Sequence, residues 1–272
     1  MFKAIWTETC QIYALDWSYL ESTRIVSASQ DGRPIVWNAV SSQKTHAIRL
    51  ACAWVMTAAF SPAGTAVACG GLDNVCSIFH LSSLPDKDGN LPVSRTLMGH
   101  KGYLSCCRYV PNHEAHILTS SRDQTCILWD AEANKRLHTF GGDSPSEHSG
   151  DIMSVSISTK DSSLFISGSC VSTAKLWDMR TPARALHTFQ GQGGDVNTVQ
   201  FLPDGHHFGT GSDDGVCHFF DTHMGHELQH YIDSMPPQGA IPMSPLLLSP
   251  IQDVSCLWAI PMPTAMSGTP SG

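Results

Sequence analysis

At 272 residues, of which 42% are hydrophobic, the chain is long enough to bury the core of one large domain or two small ones. A formal charge of −8, from 16 Lys+Arg against 24 Asp+Glu, leaves no basic stripe able to neutralise a phosphate backbone, which excludes nucleic acid as an expected partner. The most apolar run, Leu50 to Phe60, is too short for the ~20 residues of a membrane-spanning helix, and Met1 to Trp6 lack the apolar stretch of a secretory signal. The expected location is therefore cytoplasmic, with no direct membrane span.

Taken from the N-terminus, one unit recurs five times: an apolar strand, a Pro/Gly/Asp turn, a second strand, an Asp turn, and a third strand that ends in an aromatic and a polar residue. The copies run from Ser27-Ala28-Ser29-Gln30-Asp31 to Trp37-Asn38, from Gly70-Gly71-Leu72-Asp73 to Phe79-His80, and from Thr119-Ser120-Ser121-Arg122-Asp123 to Trp129-Asp130. Two more run from Ser167-Gly168-Ser169-Cys170-Val171 to Trp177-Asp178 and from Thr210-Gly211-Ser212-Asp213-Asp214 to Phe220-Asp221. In each copy the aromatic follows the turn position by six residues, and the aromatics recur every 42 to 50 residues. This is close to the ~40–45 residue period of WD40 blades, so the expected fold is all-β, a WD40 β-propeller.

A four-stranded blade packs both faces on its neighbours, which is why its strands read Val/Ile/Phe-rich; Val196 to Phe201 is expected to be an innermost strand. Asp123 is expected to cap its turn, with His100, Thr119 and Trp129 completing a buried polar chain in the same blade. Such a structural tetrad belongs to the repeat, so His100, Asp123 and Thr119 are not expected to be catalytic. No catalytic residue, metal site or cofactor is expected elsewhere. His223, His226 and His230 have a metal-like spacing but fall where a blade turns, and Gly209 to Ser212 lack a following helix that would make a phosphate cradle. The ten cysteines, such as Cys69, Cys76, Cys126 and Cys217, sit inside strand-like runs and are expected to be buried thiols; adjacent Cys106 and Cys107 should point to opposite faces.

Ser27-Ala28-Ser29-Gln30-Asp31-Gly32, Trp54-Val55-Met56-Thr57, Ala68-Cys69-Gly70-Gly71-Leu72-Asp73 and Gly102-Tyr103-Leu104-Ser105-Cys106-Cys107 go beyond the general repeat. In these strings the chain resembles the beta subunit of heterotrimeric G proteins, from about Ile12 to Tyr231. Asp86-Lys87-Asp88-Gly89 and Pro203-Asp204-Gly205 resemble the plant form. The resemblance implies a non-catalytic signalling scaffold that binds a GTPase alpha subunit and effectors to transduce receptor signals, reaching the plasma membrane through its partners. The residues it carries over are Tyr13, Trp54, Met56, Leu72, Asn74, Tyr103, Asp151, Met153, Asp195 and Asp213. Trp and Met flanked by Tyr and Leu have the composition of an interface hot spot, with carboxylates to orient a basic partner. A general WD-repeat adaptor for another complex is the alternative reading.

Some positions depart from the family pattern. Nine residues before Cys10 leave no room for the N-terminal coiled-coil helix that pairs with a gamma subunit, so gamma binding is not expected. Gln11 replaces a basic contact residue, Val171 holds the turn-Asp position of the fourth unit, and Gly191-Gln192 stands in place of Gly-His in the fifth. The expected organisation is a stub at 1–9, five blades of an expected seven at 10–232, and an irregular Pro-rich tail at 233–272, with the propeller not closed. Regrouping the codons for Thr264 to Pro270 from the third base of the first can spell a Trp-Asp strand ending, which predicts a sixth blade read out of frame from near Pro242.

Overall fold

Short apolar strands parted by Asp/Gly turns offer no stretch of helical periodicity. The computed structural model describes residues 11–20, 22–142 and 147–232 and the strand residues 247–248 and 257–258, and among these there are strands and turns but no helix. The stub at 1–9 and the proposed out-of-frame blade lie outside the described residues, apart from those two short strands.

The first blade is the meander β1 (Ile12–Trp17), β2 (Arg24–Ser29), β3 (Ile35–Asn38) and β4 (Gln43–Ile48). The second starts with β5 (Val55–Phe60), β6 (Ala66–Gly71) and β7 (Val75–His80), detours through β8 (Asn90–Leu91), and ends with β9 (Arg95–Met98). The third is β10 (Leu104–Tyr109), β11 (His116–Ser121), β12 (Cys126–Asp130) and β13 (Lys135–Phe140). The fourth is β14 (Ile152–Ile157), β15 (Leu164–Ser169), β16 (Thr173–Asp178) and β17 (His187–Phe189). The fifth is β18 (Val196–Phe201), β19 (His207–Ser212), β20 (Val216–Asp221) and β21 (Glu227–Ile232), and β22 (Leu247–Leu248) pairs with β23 (Leu257–Trp258) beyond it. No strand of the first blade pairs with one of the fifth among the described residues.

The detour has a structural use. The Asp86 side chain accepts from Asp88 N (2.9 Å) and Asn90 N (2.8 Å), and this turn sends β8 back to the preceding blade. There β8 pairs in parallel with β4 and drives Leu91 into the core between the first two blades, giving the first sheet a fifth strand. Among the described residues four such cores lie between successive blades, and the third and fourth blades share Phe140, Phe165 and Trp177 in edge and stacked contacts. Cys106 faces the core between blades three and four while Cys107 faces that between two and three, as strand alternation requires.

Innermost strands of neighbouring blades are joined through side chains. Thr57 Oγ1 accepts from Cys107 N (3.0 Å), and its equivalent Ser154 Oγ accepts from Val199 N (3.3 Å). One rung further along, the Asp16 carboxylate accepts from Phe60 N (2.8 Å) and Ser156 Oγ from Phe201 N (3.0 Å). Asp16 also holds Arg108 of the third blade at 3.1 Å; burial pushes its carboxyl up against the lowering pull of that guanidinium.

A candidate docking face at one mouth of the channel

Each innermost strand carries one irregularity near its start. The register slips between Ile12 and Ala14, Val55 and Thr57, Leu104 and Cys106, Ile152 and Ser154, and Val196 and Thr198. The bulged residues are therefore Tyr13, Met56, Ser105, Met153 and Asn197. A bulge adds a residue to one strand and re-aims its side chain. All five line a single cavity of about 200 Å³ on the central channel, together with Tyr103 and Arg108.

A second tier surrounds this mouth. In each blade the residue just before the innermost strand offers its carbonyl to the N–H of the residue that opens the second turn. The pairs are Gln11 with Gln30 (2.9 Å), Trp54 with Leu72 (3.4 Å), Tyr103 with Arg122 (3.1 Å), Asp151 with Cys170 (3.0 Å) and Asp195 with Asp213 (3.0 Å). Backbone geometry thus fixes these ten positions on one rim and leaves their side chains free to differ. Nine of the ten residues singled out from sequence belong to the two tiers; Asn74 lies beside them in the Leu72 turn, with φ of 63° and its N–H on Gly71 O at 3.3 Å.

The tiers divide into an apolar and an acidic sector. Trp54 is 41% exposed although it sits in the most apolar run of the chain, and Leu72 is 46% exposed. Trp54 stacks on Tyr13 at 5.9 Å between ring centres, across the first two blades. Its backbone is left-handed, with φ of 68°, a conformation that disfavours a bulky residue by roughly 1–2 kcal/mol. The turn is held by Trp54 N on Gln30 O (2.8 Å) and by Gly71, where a Cβ would stand 2.1 Å from Trp54 O. Half-buried Asp151 and Asp195 and exposed Asp213 form the acidic sector on blades four and five. Asp213 accepts from Asn197 Nδ2, and Asp151 pairs with Arg122, whose guanidinium lies 5.6 Å from the centre of the Tyr103 ring. Arg122, Ser105 and Asn197 were not singled out from sequence; aligning the five copies at the bulge and at the turn would have found them.

The polar chain of the third blade is not part of the cavity lining. His100 meets Asp123 at 2.9 Å and Thr119 Oγ1 at 2.8 Å, and Trp129 Nε1 donates to the same hydroxyl at 2.8 Å. Burial raises the Asp123 carboxyl, yet hydrogen bonds from His100, Thr125 and Lys101 N hold it well below the usual carboxylate range. In the fourth blade, His148 and Trp177 share Ser167 Oγ (2.7 and 2.8 Å), but Val171 supplies no carboxylate. Burial, aided by Lys175, pushes the His148 imidazole down to about 3. In the fifth, Gln192 Nε2 donates to Thr210 Oγ1 at 3.3 Å.

His223 meets His206 at 2.9 Å, whereas His230 meets Glu227 at 3.1 Å, so these histidines have separate partners. Among the described residues no three His, Cys, Asp or Glu side chains are grouped to hold one ion. Burial pushes the Cys69 and Cys126 thiols well above their ordinary value.

Strand-only blades around a channel, with a repeated hydroxyl–indole bond inside and varied side chains on one rim, define a WD-repeat scaffold. Residues 3–241 match the family described as G protein beta WD-40 repeat protein, and the chain belongs to that family. It is similar to the guanine nucleotide-binding protein subunit beta of Arabidopsis thaliana, with 64% identity over 223 residues, covering 82% of this chain and 59% of the relative. The corresponding proteins of Nicotiana tabacum and Oryza sativa subsp. japonica are 62% and 58% identical, over 82% and 81% of this chain and 59% and 58% of their own lengths. The chain thus spans about three fifths of the curated relatives it matches.

Proposed function

We propose that the channel mouth is a protein-docking face that receives the alpha subunit of a heterotrimeric G protein, and effectors in its place, so that the chain transmits receptor signals as a scaffold with no chemistry of its own. The observation that carries this reading is the convergence of bulged Tyr13, Met56 and Met153 with exposed Trp54 on one mouth. Large amphipathic side chains held rigidly at the centre of a surface, with carboxylates beside them, suit a partner that offers an apolar anchor next to a basic group. The relatives are named as beta subunits of guanine nucleotide-binding proteins, which supports a partner from such a complex, and the alpha subunit is the partner that the resemblance implies. The proposed place of action is the cytoplasmic face of the plasma membrane, reached through partners.

Biolayer interferometry with an immobilised GDP-loaded alpha subunit tests the reading. Trp54→Ala removes the anchor and is expected to weaken binding by about 30-fold or more, the ~2 kcal/mol loss of a hot-spot residue. Wild-type affinity left unchanged by Trp54→Ala and Met56→Ala refutes this face as the docking surface.

A further inference from the structure

Five equivalent positions open the second turn of the five blades: Gln30, Leu72, Arg122, Cys170 and Asp213. Arg122 alone among them is cationic, on a rim whose other charged members in the two tiers, Asp151, Asp195 and Asp213, are acids. Its guanidinium does two things at once. The guanidinium carbon lies over the Tyr103 ring, 5.6 Å from its centre, and Nε reaches across to Asp151 in the next blade. The Arg122 side chain is 60% exposed and that of Asp151 24%, so solvent screens the pair and a competing cation can break it.

We infer that Arg122 is a specificity-determining residue of the docking face: it occupies Asp151, so a cationic partner must displace it to use that carboxylate. The inference rests on the docking-face reading. Arg122 works against the acidic sector in two ways, by neutralising a carboxylate and by placing a like charge in the path of an incoming lysine or arginine. Both raise the threshold for weakly basic partners, a built-in discrimination against binders that offer charge without the apolar anchor.

The test uses the full chain as wild type, Arg122→Gln, Asp151→Asn and the double variant. Two probes are titrated, an oligolysine peptide flanked by leucines and a GDP-loaded G-protein alpha subunit. The Arg122 N–H bond to Tyr103 O is a backbone bond, so the side-chain exchange leaves the turn intact, and melting temperatures verify this; Arg122→Ala repeats the test if glutamine disturbs the fold. Arg122→Gln is expected to tighten peptide binding about 3- to 10-fold at low salt, with the gain lost near ~0.5 M salt and absent in the Asp151→Asn background. Unchanged or weaker peptide binding, or a gain that survives Asp151→Asn, overturns the inference. A peptide gain with no alpha-subunit binding to any variant sinks the partner reading and leaves Arg122 its role. Alpha-subunit binding with no effect of Arg122→Gln on either probe does the reverse.

Discussion

The fourth blade should be the acid-sensitive part of the molecule. His148 is fully enclosed, 1% exposed, and its imidazole is pushed down to about 3 by burial and by nearby Lys175. The unfolded chain returns it to an ordinary histidine near ~6.5. For a base whose folded value is lowered, the sign is fixed: its contribution is complete above the unfolded value and is lost as pH falls from there toward the folded one, because the unfolded chain binds the proton and the folded chain does not. The slope is about 1.4 kcal/mol per pH unit, so lowering the pH from 7 to 5 removes roughly 2 kcal/mol through this one residue. For a domain of this size that corresponds to a fall of about 4–8 °C in melting temperature. The third blade shows how to repair it, since Asp123 meets His100 at 2.9 Å from the position that Val171 holds in the fourth. Val171→Asp should stabilise the imidazolium and cut the acid loss to less than half. His148→Gln should abolish its share, as Gln192 already fills this place in the fifth blade without titrating. Melting curves of the three proteins at pH 7, 6 and 5 test this. Equal acid loss in wild type and His148→Gln refutes the assignment.

Two further substitutions test the packing that presents the proposed docking face and the economy of the buried polar chain. Gly71→Ala would set a Cβ 2.1 Å from Trp54 O, so it should destabilise by about 2–3 kcal/mol and also weaken alpha-subunit binding by moving Trp54; calorimetry and the binding assay read the two effects. Cys69→Ser places a hydroxyl where Phe79 has no N–H to offer, costing about 1–3 kcal/mol. Adding Phe79→Trp should recover part of that loss in urea unfolding, and a double variant no better than the single one would argue against hydroxyl–indole pairing.

The sequence showed the inner part of each blade and hid the outer part, for a physical reason. Strands such as β6 and β11 lie between two cores, and they are buried almost without interruption. Outer strands such as β4 (Gln-Lys-Thr-His-Ala-Ile) and β13 (Lys-Arg-Leu-His-Thr-Phe) face solvent over much of their length and carry no comparable pattern. β8, two residues long and paired with the blade before its own, leaves no periodic signal at all. The bulges were hidden for another reason, because an extra residue in a strand looks like ordinary sequence until the partner strand is in place. Trp54 shows the consequence: apolar neighbours favour burial, but its left-handed turn, one residue before β5 and two before bulged Met56, swings the ring outward. Composition alone cannot encode that turn; the fivefold repeat can, once the copies are aligned.

The copies also show which positions the fold constrains and which it leaves to function. Ten residues before each terminal aromatic stand Ser27, Cys69, Thr119, Ser167 and Thr210. Where the aromatic is Trp, a hydroxyl receives its indole N–H at 2.8–2.9 Å, as Ser27, Thr119 and Ser167 do for Trp37, Trp129 and Trp177. Where it is Phe79, with no N–H to place, the hydroxyl has become the thiol of Cys69. Where it is Phe220, Thr210 stays because Gln192 still donates to it. A buried donor and its acceptor are thus kept or lost together, since either alone is penalised by more than the pair contributes. The rim answers to no such rule. Its carbonyl and N–H are satisfied by the backbone in all five blades, so Gln30, Leu72, Arg122, Cys170 and Asp213 can differ at almost no cost to folding. Chemistry that varies on a frame that does not is what lets one repeated unit build an apolar anchor on blade two, a guanidinium over a tyrosine on blade three, and carboxylates on blades four and five.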